Sequence, residues 1–233
     1  MGRSQLKDPV RTLERALRDG SPKPKTTEAA PAKLRSTTAR AAQEVRIIGG
    51  LYKRSILSVV DAPGLRPTPN RVRETLFNWL GHHFGHDLSG LRCVDAYAGT
   101  GALGLEAASR GAAHVQLLEN NGRAASAISA SIARLKIPNC EVIKQDAVFA
   151  LAGLAPASVN VVFIDPPFDA QVHAIAAKAA KRALADSGVI YVEAPDEATL
   201  DAVIACGLAE NRRARAGSVW FGLYVQNGEE TTP

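Results

Sequence analysis

Cysteine is scarce: Cys93, Cys140 and Cys206 are the three in 233 residues. Odd in number and widely spaced, they fit neither a disulfide framework nor a thiolate metal site, and a reducing compartment, the cytoplasm, is the expected location. No apolar run approaches the roughly 18 residues that a membrane-spanning helix needs, so no membrane partner is expected. Histidine is sparse as well. His82, His83, His86, His114 and His173 show no metal-ligand spacing, so no metal is expected and they read as surface or satisfied helix-end residues. The first residues lack the apolar core of a secretory signal and carry Asp8, Glu14 and Asp19, which a transit peptide avoids. Leu6 stands where myristoylation needs Ser or Thr.

What the chain does have is enough apolar sequence, 46%, for one substantial core with a small appendage. Residues 1–44 are rich in Ala, Pro, Thr, Lys and Arg and read as a disordered basic tail; within them Val10, Leu13 and Leu17 share a face, which allows a short helix over Asp8–Asp19. Residues 45–85 read as an extension. The β-prone stretches Ile47–Gly50 and Ile56–Val60 flank Lys53-Arg54-Ser55 and predict a small hairpin, and Val72, Leu76, Trp79 and Leu80 fall at helical spacing over Asn70–His82, with Thr68 or Asn70 as cap. The net charge of +5 is unevenly spread: Arg46, Lys53, Arg54, Arg66, Arg71 and Arg73 face only Asp61 and Glu74. That excess is suited to docking on a phosphate backbone. Arg212, Arg213 and Arg215 offer a second contact or a solvated strand edge.

Residues 86–233 read as the main domain. Strands over Leu91–Asp95, His114–Glu119, Cys140–Gln145, Asn160–Asp165 and Gly188–Glu193 alternate with helical stretches, which predicts a parallel sheet covered on both faces. Val219–Val225, paired with Leu208–Arg215, would close the sheet as a hairpin and make it mixed.

Two junctions carry chemistry. The first is Asp95-Ala96-Tyr97-Ala98-Gly99-Thr100-Gly101-Ala102-Leu103-Gly104, a glycine-rich strand-to-helix turn that lets backbone approach a ligand. Its glycine spacing, with Glu119 ending the next strand, fits a dinucleotide as well as S-adenosylmethionine. Asp95 favours the latter, because a carboxylate suits an ammonium group and not a pyrophosphate. Glu119 is placed to accept from two ribose hydroxyls. Asp146 can accept from an adenine amino group while the Ala147 amide donates to the ring, although Asp146 is also a natural helix N-cap. The second junction is Asp165-Pro166-Pro167-Phe168, after the apolar run Val161–Ile164. There the Asp165 carboxylate and the Pro166 carbonyl can each accept one hydrogen of an exocyclic amino group, Pro167 stiffens the rim and Phe168 stacks on the base. Such a target must be unpaired or flipped out.

Arg46-Ile47-Ile48-Gly49-Gly50, Leu65-Arg66-Pro67-Thr68, Arg71-Val72-Arg73-Glu74-Thr75-Leu76-Phe77-Asn78-Trp79-Leu80, the Asp95 block through Ala107 and the Asp165 tetrad occur in order. Together they closely resemble the bacterial RsmD methyltransferases from about Val45 to the C-terminus. The resemblance implies an α/β, Rossmann-like S-adenosylmethionine-dependent methyltransferase fold, a seven-stranded mixed sheet with its last strand antiparallel, plus the small N-terminal hairpin and helix. It implies methylation of N2 of guanine 966 in 16S ribosomal RNA, within the small subunit or its precursor, by a monomer. By the same resemblance Arg66, Thr68 and Arg71 lie near the cofactor's methionine end or the RNA entrance. The cofactor set is then Asp95, Tyr97, Gly99, Gly101, Glu119, Asn120, Asp146, Ala147, Thr68 and Arg71, and the RNA set Arg46, Lys53, Arg54, Arg66 and Arg73. One departure is Glu119-Asn120-Asn121, where the family often has a second acid and then a base. Open alternatives are an adenine-N6 or glutamine-amide methyltransferase, against which Asp rather than Asn at 165 argues, an NAD-linked oxidoreductase, and a non-catalytic RNA-binding factor.

Overall fold

A computed structural model of the chain describes residues 44–59, 68–167 and 171–227. The tail with its candidate helix, Arg66 and Phe168 lie outside the described residues. Two short strands, β1 (Val45–Arg46) and β2 (Ile56–Leu57), pair antiparallel. The hairpin is there, but β1 precedes the expected Ile47–Gly50 stretch, because Ile47–Ser55 instead turns back on itself through Arg54 N donating to Ile47 O and Ile47 N donating to Ser55 O. β2 covers only the first two residues of the expected Ile56–Val60 stretch, of which Val60 lies outside the described residues.

Helix α1 (Asn70–His83) follows the anticipated periodicity, with Val72, Leu76, Phe77 and Leu80 buried. Its expected side-chain cap is absent. Pro69 occupies the N-cap position, while the Thr68 hydroxyl donates to Asp165 and Asn70 Oδ1 accepts from Arg73, so both candidates are committed elsewhere.

The main domain runs β3 (Arg92–Asp95), α2 (Ala102–Ser109), β4 (His114–Leu118), α3 (Gly122–Leu135), β5 (Cys140–Ile143), α4 (Ala147–Gly153), β6 (Val159–Ile164), α5 (His173–Lys181), β7 (Leu184–Ala194), α6 (Glu197–Ile204), β8 (Leu208–Ala216) and β9 (Val219–Gln226). The sheet order is β5-β4-β3-β6-β7-β9-β8. β3 to β7 pair in parallel, and β9 runs antiparallel to both its neighbours, so the seven-stranded mixed sheet and its reversed last strand are as anticipated. The central strands are buried on both faces, which is why they read as nearly continuous apolar runs. On β6, Val161 and Phe163 enter the core beneath α1 and α2, whereas Val162 and Ile164 enter the one beneath α4, α5 and α6. Phe77 of α1 meets Phe163 at 6.0 Å between ring centroids, and Trp79 stacks on Phe221 at 5.3 Å.

Strand order switches direction at β3: β4 and β5 lie to one side and β6 to the other. Open α/β sheets bind ligands at such a switch point, beyond the carboxyl ends of the strands. β3 pairs Asp95 with Phe163, and β6 pairs Phe163 with Tyr191 and Ile164 with Val192. Asp165 and Glu193 therefore arrive at one height on adjacent strands, with Asp95 two residues lower on β3 and on the same face.

Arg73 corrects the expected RNA-facing set. It is fully buried, with Nη2 donating to Arg46 O at 2.9 Å and to Asn70 Oδ1 at 2.7 Å and Nη1 lying 3.9 Å from Glu106 Oε2. Glu106 also accepts from the Ile48 and Gly49 amides and from Arg110 Nε. The ion cluster fastens the hairpin and α1 to α2, and no phosphate reaches it. Removing one member of a buried pair strands the other charge. Arg73→Leu is expected to lower unfolding free energy by about 3 kcal/mol, read from the denaturant midpoint at constant slope; an unchanged midpoint would show the cluster to be dispensable.

Candidate active site

A cavity of about 540 Å³ opens at the switch point. One wall is the glycine-rich turn. Gly99 and Gly101 have φ of 54° and 76°, left-handed values that glycine adopts without strain. Gly99 N donates to Glu119 Oε2 at 2.8 Å and Asn121 N to Glu119 Oε1 at 2.6 Å, so this one carboxylate ties the turns after β3 and β4 together. A carboxylate has about four acceptor positions, so the two hydrogen bonds leave Glu119 able to accept from a ligand as well. Gly104 packs the helix on the sheet: a Cβ there would stand 2.8 Å from Leu117 Cδ2.

Asp95, buried at the end of β3, accepts from Gly104 N at 2.8 Å. Burial pushes its carboxyl up to about 7, against the Gly104 hydrogen bond and helped by the charges of Asp165 and Glu119. Asp146 caps α4 by accepting from Phe149 N, as its alternative reading had it, and it also lines the cavity with Tyr97, Asn120, Gln145 and Ala147. Burial, with Asp146 nearby, raises the Tyr97 phenol to about 12.

The opposite wall belongs to β6. Asp165 follows Ile164, half-buried, and accepts from the Thr68 hydroxyl at 2.9 Å. Burial raises its carboxyl to about 6, moderated by that hydrogen bond. Pro166 and Pro167 continue the same wall. The structure thus brings Thr68, Asp95, Tyr97, Gly99, Glu119, Asn120, Asp146, Ala147, Asp165, Pro166 and Pro167 around one cavity.

Two expected cofactor contacts stand apart from it. Gly101 shapes the turn from behind, as the N-cap of α2, and Arg71 is exposed on the first turn of α1 outside the lining. Arg46, Lys53 and Arg54 are exposed, with Arg46 paired to Glu44. Arg213 is occupied by Glu197, Asp201 and Glu210, so in that basic run Arg212 and Arg215 are left without an ion pair among the described residues. His173 is neither a surface nor a satisfied residue: it is buried, and its Nε2 has no hydrogen-bond partner. Burial lowers its pKa, opposed by contact with the Glu193 backbone.

Sequence reasoning missed Glu193. It lines the cavity from β7, buried, and Oε1 accepts from the Tyr191 hydroxyl at 3.0 Å. Its signal was present, since it closes the apolar run Val189–Val192 just as Asp95 and Glu119 close theirs.

The sheet order, the glycine-rich turn and the acids beyond β3, β4 and β6 define a Rossmann-like methyltransferase. The chain matches the model of the family described as conserved hypothetical protein 95 over residues 45–225, and it belongs to that family. It is 39% identical to ribosomal RNA small subunit methyltransferase D of Escherichia coli K12 over 188 residues, spanning 80% of this chain and 92% of the relative. A solved Escherichia coli structure of 39% identity superimposes with a TM-score of 0.66, over 78% of this chain and 97% of the other. One from Haemophilus influenzae, 30% identical, gives 0.61 over 78% and 97%.

The raised Asp95 carboxyl has a consequence for stability. The folded chain holds that proton to about pH 7, against an ordinary value of 3.8, so its stabilising contribution is complete below about pH 4 and lost as pH rises through about 7. Asp95→Asn should therefore show a smaller loss of stability between pH 4 and 8 than the wild type, measured by urea unfolding. Identical pH dependence of the two proteins would mean that Asp95 ionises normally.

Proposed function

We propose that the chain is an S-adenosylmethionine-dependent enzyme that methylates N2 of guanine 966 in 16S ribosomal RNA, acting on the small subunit or its precursor. The observation that carries this reading is the Asp165 carboxyl, anchored by Thr68 and followed by Pro166, in the same cavity as the glycine-rich turn. The donor set suits the cofactor. Asp95 offers a carboxyl to an ammonium group, Glu119 to ribose hydroxyls and Asp146 to an adenine amino group, while Ala96, Ala98, Leu103 and Leu118 supply apolar wall. The volume falls within the ordinary range for small-molecule sites.

Bound S-adenosylmethionine supplies an electrophilic methyl group. The chain's own task is to present the acceptor nitrogen. A guanine amino group is a weak nucleophile, its lone pair delocalised into the ring, so orientation does most of the work. Asp165 and the Pro166 carbonyl each accept one amino hydrogen, which turns the lone pair toward the methyl donor. The Asp165 carboxylate also opposes the positive charge that grows on nitrogen. The target base enters unpaired or flipped, and Lys53 and Arg54, with Arg46 and Arg66, serve the phosphate backbone.

Asp165→Ala should lower kcat/KM by roughly a thousandfold while S-adenosylmethionine affinity, measured by calorimetry, stays within a few-fold. Wild-type kcat/KM should rise with pH through about 6 and then level, because transfer needs the ionised carboxylate. Ribosomal RNA from a deletion strain should lack N2-methylguanosine at the target by mass mapping. An undiminished content there would remove guanine as the substrate.

A further inference from the structure

In strand order, the carboxyl edge of the sheet presents Asp146 after β5, Glu119 after β4, Asp95 ending β3, Asp165 after β6 and Glu193 near the end of β7. The first three surround the glycine-rich turn, on the side assigned to the methyl donor. Asp165 is the boundary. Glu193 stands beyond it, where the acceptor base must lie if its amino group is held at Asp165 and faces the turn.

Register fixes this placement. Phe163 pairs with Tyr191 and Ile164 with Val192, so Asp165 and Glu193 come next on adjacent parallel strands, about 4.8 Å apart in backbone. Their side chains share the face occupied by Phe163 and Tyr191. Glu193 is buried and lines the cavity. One donor reaches it from its own strand, the Tyr191 hydroxyl, and no cation forms a salt bridge with it among the described residues. Burial, then the Asp165 charge, raise its carboxyl well above the usual range, opposed by the Tyr191 and Thr68 hydroxyls and more weakly by Arg73. The ionised carboxylate is an acceptor only, so in this buried place it gains from each further donor that a ligand brings.

The bases differ in what they would bring to it. Beside its amino group guanine carries the ring N1–H, a donor; beside its amino group adenine carries an unprotonated ring nitrogen, an acceptor. We propose that Glu193 determines base identity by accepting the guanine N1–H next to the N2 amino group that Asp165 holds, an assignment that rests on the guanine reading above. An adenine in the same pose would bring no hydrogen and set a ring lone pair against the ionised carboxylate.

The test compares RNA carrying guanine at the target with RNA carrying 2-aminopurine, which keeps the amino group and replaces the N1–H by an acceptor. Wild type should favour guanine in kcat/KM by roughly 10- to 100-fold. Glu193→Gln can turn its amide to donate or accept, so its preference should shrink to within about threefold. Comparing the two enzymes cancels the intrinsic nucleophilicity of each base, and unchanged S-adenosylmethionine affinity shows that the fold is intact. An unaltered preference overturns the assignment, as does equal loss on both bases with cofactor affinity retained. Should Glu193→Gln not fold, Glu193→Asp withdraws the carboxyl by one methylene. It should lose roughly tenfold on guanine without gaining on 2-aminopurine, and an undiminished guanine rate also overturns the role. If wild type methylates neither RNA, the guanine reading fails on its own, whatever the variants do.

Discussion

The in-register parallel pairing of β3, β6 and β7 is the constraint on which the site depends. It brings Asp165 and Glu193 to one height, with Asp95 two residues lower on the neighbouring strand at the switch point, where the chain supplies few compensating charges. Asp95 receives a backbone amide, Asp165 a threonine hydroxyl and Glu193 a tyrosine hydroxyl. Three neutral donors for three acids hold the carboxyls in position without neutralising them. Their raised proton affinities are the cost of that arrangement, and each then gains from a ligand that brings a donor or a positive charge.

A second ionic centre, behind the first, does the opposite. Glu106 is satisfied from four directions, by Arg110, by the Ile48 and Gly49 amides and by the nearby Arg73 guanidinium. Arg110 in turn lies 4.8 Å over the Phe77 ring. This cluster is closed and structural. It fixes α1 against the sheet, and the two residues before α1, Thr68 and Pro69, line the cavity, Thr68 as the donor to Asp165. Rigid packing of the hairpin and α1 therefore reaches the Asp165 carboxyl through a short covalent path, Thr68-Pro69-Asn70, in which the proline at the N-cap leaves little freedom.

The strands and the acids beyond β3, β4, β5 and β6 were legible because each strand ends in apolar residues followed by a polar stop, and in open parallel sheets that stop is where ligands bind. The glycine-rich turn was legible as a ligand-facing turn, while the cofactor-contact role expected of Gly101 was not, since it and Gly104 serve the close approach of helix to strand. Arg73 was not legible. In sequence it sits in a basic cluster with Arg71, and only tertiary packing shows that Arg71 faces outward while Arg73 points at Glu106 on another helix. The caps of α1 failed for the same reason, as Thr68 and Asn70 answer to partners distant in sequence or in the ion cluster. Glu193 carried the same local signal as Asp95, but its importance lies in its neighbour across the sheet, and strand order is a property of topology rather than of any one segment.

A basic protein with an acidic cleft separates two electrostatic tasks in space. Exposed Lys53 and Arg54 present positive charge outside the cavity, where it draws a polyanion whatever its sequence. Inside, positive charge would repel a sulfonium and oppose the charge that develops on an attacking nitrogen, and the described lining contains no lysine or arginine. The buried Arg73 is the instructive exception. It lies near enough to temper Glu193, yet its hydrogen bonds go to Arg46 O and Asn70, so the cleft keeps its negative character while the cation is spent on packing. On the proposed reading, a base lifted from its stack would pass from a field that holds its phosphates to one that grips its N–H groups, and selection among bases would fall to hydrogen-bond acceptors whose spacing the sheet sets.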